Sequence, residues 1–312
     1  MRIKLLLLSF LLLALPALAA SPIRFGLSVQ PDTGANGISS ATMCSAGGAK
    51  VHFVAIRATW PRLQPAANRW NFTWLDTAVN NAVARKQEVI LVLGPAPRWT
   101  VTYLNRPSPE EVLRAKPTPQ SLQDYAAALA KRYGDRVHYY QVWERPVSGT
   151  LLAVARDVQA LFRAAARGIH SVNPALQVIA PEPGDVNLRW IAQYWNGSQS
   201  AERPDAILLC PDRLRADPQQ FNWRMQVLRG RVLPAKNGPA LWASIPITQD
   251  ACRWNITAAA LLQDISTLIF TGNESGIQAV LPSMEDGMAR LSMLQGSAYS
   301  GSCRLSPELV AG

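Results

Sequence analysis

Two carboxylates held over one cleft can move a proton and deliver a nucleophile, so acidic residues that follow apolar runs are the first places to look for chemistry. Glu144, the pair Glu182 and Asp185, and the pair Glu285 and Asp286 stand in that position. Each has a plainer alternative. Glu144 adjoins Arg145 and can be neutralised by an ion pair, while Asp185, Glu285 and Asp286 stand where acidic side chains favour the start of a helix. Arg57, Arg98 and Arg145 offer planar cationic forks that stay protonated and match carboxylate or sulfate oxygens. Trp60, Trp99 and Trp143 add flat apolar faces on which a ring-shaped ligand can stack, although tryptophan is equally ordinary core packing. The four cysteines (Cys44, Cys210, Cys252 and Cys303) have no C-x-x-C spacing, and the chain holds three histidines, so no metal or other cofactor is expected. In an oxidising compartment the favoured disulfide is Cys252 with Cys303, with the other connectivities open.

These residues act together only if the fold brings them to one place. Eight short runs, nearly continuous in apolar residues, read as strands covered on both faces: 22–29, 51–60, 88–95, 137–144, 176–183, 206–212, 240–246 and 276–283. Between them the period becomes helical. Phe72, Leu75, Val79, Ala82 and Val83 form one stripe, and Leu122, Tyr125, Leu129 and Tyr133 a second, opened by Thr118-Pro119. Val154, Val158, Leu161, Ala165 and Ile169 form a third, stopped by Asn173-Pro174. Strand and helix alternating eight times predict an α/β fold, a single-domain (β/α)8 TIM barrel over 21–312, and no glycine-rich phosphate loop follows the first strand to favour an open sheet. Chemistry in such barrels sits at the C-terminal strand ends. Arg57, Trp60, Trp99, Trp143, Glu144, Arg145 and Ser244 all map to that rim.

Composition sets the surroundings. Residues 1–20 have a basic start at Arg2 and Lys4, an apolar run from Leu5 to Leu15, and small residues at Ala17 and Ala19. They read as a signal peptide, too short to span a bilayer, and predict a secreted or periplasmic protein with no stable membrane span after cleavage. The net charge is +10, spread over arginines such as Arg163, Arg189, Arg203, Arg224, Arg229 and Arg231. A diffuse positive field of this kind favours anionic partners, although solubility alone also accounts for it.

Several segments, taken in order, resemble the clan-A retaining glycoside hydrolases, especially the family 39-like and family 5-like barrels. Val54-Ala55-Ile56-Arg57-Ala58-Thr59-Trp60 followed by Leu63-Gln64-Pro65 resembles the second strand of that family. Asn68-Arg69-Trp70-Asn71-Phe72, then Trp74-Leu75-Asp76, resembles the entry to the next helix, and Pro97-Arg98-Trp99 the end of the third strand. Arg132 to Val137, leading into Tyr140-Gln141-Val142-Trp143, resembles the approach to the family's W-N-E-P signature.

The departure falls on the chemistry. Where the resemblance implies a glutamate acid/base, the chain reads Trp143-Glu144-Arg145-Pro146, and where it implies a glutamate nucleophile it reads Trp242-Ala243-Ser244-Ile245. Cys210-Pro211 replaces a histidine or tyrosine expected after the sixth strand, and the eighth-strand tryptophan is missing from 279–282. Retaining hydrolysis needs two carboxyl groups ~5–5.5 Å apart. Arginine cannot cycle as acid and base, and isoleucine offers no nucleophile. The resemblance therefore implies a carbohydrate-binding pseudoenzyme whose partner is an oligo- or polysaccharide, preferably anionic, with no nucleic acid expected. Arg57, which orients the nucleophile in the family, becomes a ligand-binding residue together with Trp60, Trp99, Trp143, Arg145 and Ser244. Two alternatives stay open: an active glycosidase using relocated carboxylates such as Glu144, and a non-catalytic protein-interaction scaffold.

Overall fold

The computed structural model describes residues 24–29, 53–101, 105, 108, 111–112, 115–143, 155–180, 187–196, 202–209, 218–233, 238–247 and 277–284. Within them lie eight strands: β1 (Arg24–Val29), β2 (Phe53–Ala58), β3 (Glu88–Leu93), β4 (Tyr139–Val142), β5 (Gln177–Ala180), β6 (Ala206–Leu209), β7 (Ala240–Ile247) and β8 (Ile277–Met284). Each pairs in parallel with its sequence neighbour, and β8 returns to β1, so the sheet is a closed barrel. All eight apolar runs thus form strands, in the predicted order. No helix among the described residues is long and apolar enough to cross a membrane.

The strands are apolar throughout because each has two dry faces. In β2, Phe53 and Ala55 turn inward, while Val54, Ile56 and Ala58 join the layer under the helices. In β3, Ile90 and Val92 face in, and Val89, Leu91 and Leu93 face out. The barrel interior is closed by an aromatic plug. Phe53 meets Tyr139 edge-on at 5.3 Å and lies 5.0 Å from Trp242, with Tyr139 and Trp242 5.4 Å apart. The barrel is therefore packed rather than hollow, and the plug forms a floor beneath the rim.

The described helices are α1 (Trp60–Leu63), α2 (Thr73–Ala84), α3 (Pro119–Tyr133), α4 (Ala155–Val172), α5 (Leu188–Asn196) and α6 (Pro218–Val227). In α2, Leu75, Val79 and Ala82 are buried as expected, but Val83 lies at the border of the stripe and is turned out to 39 % exposure. The predicted stripe of α3 is buried in full, and the Thr118 hydroxyl accepts a hydrogen bond from Ser121 N at 3.2 Å, capping the helix. In α4, Val158, Leu161, Ala165 and Ile169 are buried, while Val154 lies outside the described residues. Gly168 lets α4 lie directly on α3, since a Cβ there would stand 2.3 Å from the Gln123 carbonyl oxygen.

One polar clasp joins α2 to α3. Arg132 donates through Nε to Asp76 Oδ1 at 2.8 Å and through Nη2 to the other oxygen, and the Tyr133 hydroxyl donates to Oδ1 at 2.8 Å. Partial burial alone would raise the Asp76 pKa, but the hydrogen bonds from Arg132 and Tyr133 outweigh it and hold the carboxyl below its ordinary value. A depressed folded-state pKa stabilises the protein above the unfolded value, and the contribution disappears as pH falls through the folded one. Asp76→Asn is therefore expected to cost about 1 kcal/mol at neutral pH, discounted for solvent at the half-exposed Arg132. Denaturant titrations at pH 7 and near pH 3 check this. A deficit of the same size at both values contradicts the ionic origin.

Candidate functional site

A closed parallel barrel has all its strand C-termini at one rim. Arg57, penultimate in β2, continues the inward alternation of Phe53 and Ala55 and is half-buried above the aromatic plug. Its register partner on β3 is Val92, and Val92 pairs in turn with Gln141 of β4. Gln141 is buried and donates from Nε2 to the Trp143 carbonyl at 3.2 Å.

Beyond β3 the chain turns sharply. Gly94 has φ +115° and precedes a cis bond to Pro95, and the Trp143 ring lies directly against it. A Cβ at Gly94 would stand 3.0–3.2 Å from three atoms of that indole, so both the conformation and the contact require glycine. Trp143 is itself at φ +63°, unusual for a bulky side chain, and is anchored by its N–H to the Leu93 carbonyl at 3.0 Å. Its side chain is only 3 % exposed, so it walls the turn instead of presenting a face to a ligand.

Trp60 also differs from its expected role. It is fully buried, stacked on Tyr125 at 4.3 Å and 12°. Its indole N–H donates to Gln64 Oε1 at 2.8 Å. Tyr125 closes the network by donating to the Ala58 carbonyl at 2.6 Å, and burial raises its pKa, so the hydroxyl keeps its proton as a donor. Trp60 is thus a positioning residue. What it positions is Trp99, which meets it edge-on at 6.2 Å and donates Nε1–H to the Gln64 carbonyl at 3.0 Å. Trp99 lies on a short 3-10 turn (Arg98–Thr100) and is half-buried, with Arg98 beside it exposed and donating to the Val101 carbonyl at 3.0 Å.

On β7, Trp242 belongs to the interior plug, and Ser244 is two residues further along; Ser244 pairs with Leu281 and Ile245 with Pro282. Neither Ser244 nor Ile245 is a carboxylate. Glu144, Arg145, Glu182, Asp185, Glu285, Asp286 and the four cysteines lie outside the described residues. Among the described residues at this rim there is no acidic side chain. Nor do the described residues contain a group of three or more histidine, cysteine or acidic side chains able to hold a metal.

The rim therefore combines an arginine over the floor, an exposed arginine, and a tryptophan held by its indole N–H. Gln64, Gly94, Tyr125 and Gln141, which support it, were not predicted as site residues. The run Gly94-Pro95-Ala96-Pro97 marks a sharp turn, but nothing local indicates that Trp143 fills it.

No protein-family model and no curated protein matches the chain. Solved structures do. A family 39 glycoside hydrolase from Bacteroides cellulosilyticus WH2 is 16 % identical with a TM-score of 0.62 over 86 % of this chain and 58 % of its own. A monomeric β-xylosidase from Caulobacter crescentus CB15 is 15 % identical, with a TM-score of 0.61 over 84 % of this chain and 61 % of its own. The endo-glycoceramidase II of Rhodococcus sp. is 16 % identical, with a TM-score of 0.60 over 86 % and 74 % respectively. The chain shares a TIM-barrel fold with these glycoside hydrolases and spans less than two-thirds of the length of the first two.

Proposed function

We propose that this chain is an exported glycan-binding barrel that has lost retaining hydrolysis and prefers anionic saccharides. The observation that carries the reading is Trp99, half-buried on the turn after β3 and held there by its indole N–H to the Gln64 carbonyl, with Arg57 near the C-terminal end of the neighbouring strand β2. The sequence supports it, with Arg145 and the Ser244-Ile245 pair where glutamates would be required. A uronate carboxylate or a sulfate suits an arginine fork through paired charge-assisted hydrogen bonds, while a pyranose ring stacks on Trp99. Export rests on residues 1–20, and N-terminal sequencing of the protein recovered from the medium or periplasm tests it.

Binding is tested by calorimetric titration with matched uronate and neutral oligosaccharides. Uronate oligomers are expected to bind at least ~10-fold more tightly, equivalent to about 1.4 kcal/mol. Their affinity is expected to fall as salt is raised, because the contacts are partly exposed. Arg57→Ala and Trp99→Ala are each expected to weaken it. Equal affinity for both ligands, or affinity untouched by both substitutions, overturns the proposal.

A further inference from the structure

Away from the rim, α6 carries a surface that the cleft does not account for. Its apolar side is used conventionally, with Phe221, Met225 and Leu228 buried. On the opposite side Trp223 is 58 % exposed, by far the most exposed large aromatic described. Helical spacing sets Gln219 and Gln226, both exposed, four residues before and three after it on the same face. The helix then passes into a π turn (Leu228–Val232) in which Arg229 and Arg231 are exposed on either side of Gly230.

Gly230 is informative because nothing internal requires it. Its φ is not in the left-handed region, and a Cβ built there meets nothing within 4 Å. A bare, open stretch of backbone between two cationic forks is the kind of surface a ligand can approach closely. Residues 218–233 contain three arginines and no carboxylate. At ~1.5 Å per residue, Trp223 and Arg231 are about 12 Å apart along the axis, enough for two or three saccharide rings.

We propose that Trp223, with Gln219, Gln226, Arg229, Gly230 and Arg231, forms a second, non-catalytic site for an acidic polysaccharide on the outside of the barrel. The ring stacks on a sugar face, the flanking amides hydrogen-bond hydroxyls, and the two guanidinium groups take the carboxylates or sulfates. The glutamines argue against a lipid surface, which would select an apolar face around the tryptophan. The glycan class rests on the reading of the rim, but the surface does not, so the two are separable.

The experiment uses the full chain and an oligogalacturonate hexamer, with single-stranded DNA and anionic vesicles as comparators. Two binding sites per chain are expected for the hexamer. Trp223→Ala and the double variant Arg229→Gln/Arg231→Gln are each expected to remove one site and leave the other, with the thermal midpoint unchanged because these side chains are exposed. Arg57→Ala with Trp99→Ala is expected to remove the complementary site. If the rim variants lose all hexamer binding and the α6 variants lose none, the surface proposal is wrong and the rim reading stands. If the α6 variants lose all of it, the rim reading fails and the surface proposal stands. Tighter retention of DNA or vesicles than of the hexamer, sensitive to Trp223→Ala, also overturns the assignment.

Discussion

Purified protein incubated with aryl β-glycosides, or with common neutral and acidic polysaccharides, is expected to turn them over at least ~10⁴-fold below the 1–10³ s⁻¹ usual for enzymes. The general acid alone is worth ~10²–10⁴-fold, and its position in the resemblance is Arg145. The nucleophile is a separate loss. Where the resemblance implies the nucleophile the chain reads Ser244-Ile245, and neither residue can form the glycosyl-enzyme intermediate by the carboxylate route. Sensitive detection of released reducing ends over long incubation checks the rate. Turnover at enzymatic rates that disappears in Glu144→Gln would show that a relocated carboxylate has taken over, and the proposed function would then be wrong.

Trp60→Ala is expected to destabilise the fold by about 3–5 kcal/mol, among the largest effects of any single substitution in this chain. The side chain is fully buried, so its removal leaves a cavity beside Tyr125 that the surroundings cannot refill. It also strips the Gln64 side-chain oxygen of its donor. For a barrel of this size the thermal midpoint is expected to fall by on the order of 10 °C. Trp60→Phe separates the two contributions, since it keeps an aromatic ring against Tyr125 and removes only the indole N–H. A loss of about 1–2 kcal/mol is expected there. Because Gln64 also holds the Trp99 indole through its carbonyl, Trp99 fluorescence and saccharide affinity are expected to change along with stability. A change below 1 kcal/mol in Trp60→Ala with Trp99 undisturbed would show that the network does not position the rim.

The barrel was legible because its strands are dry on both faces. Runs such as Glu-Val-Ile-Leu-Val-Leu in β3 admit few other readings, and their count with the alternating helices leads to closure. The site was less legible because ligand-facing and packing tryptophans look alike in a chain read one residue at a time. Trp60 sits at a strand end, as a stacking residue would, but its face is taken by Tyr125, 65 positions later. Trp143 likewise fills a turn made by Gly94, whose identity depends on that ring. Trp223 belongs to no predicted stripe. Only its exposure, opposite Phe221 and Met225, sets it apart.

The pairing of β8 with β1 has a consequence for how the chain reaches this state. Arg24 pairs with Ala279 and Ser28 with Ser283, so the last strand made joins the first across about 250 residues. Every other strand meets a near neighbour and can add as it emerges, but this seam forms only after β8 has been made. Until then β1 and β7 are open sheet edges, with backbone donors and acceptors available to any other strand. Long-range closure is slow relative to hairpin-like local pairing, and the interval is one in which self-association competes with folding. A net charge of +10 makes copies of the chain repel one another, which opposes self-association during that interval.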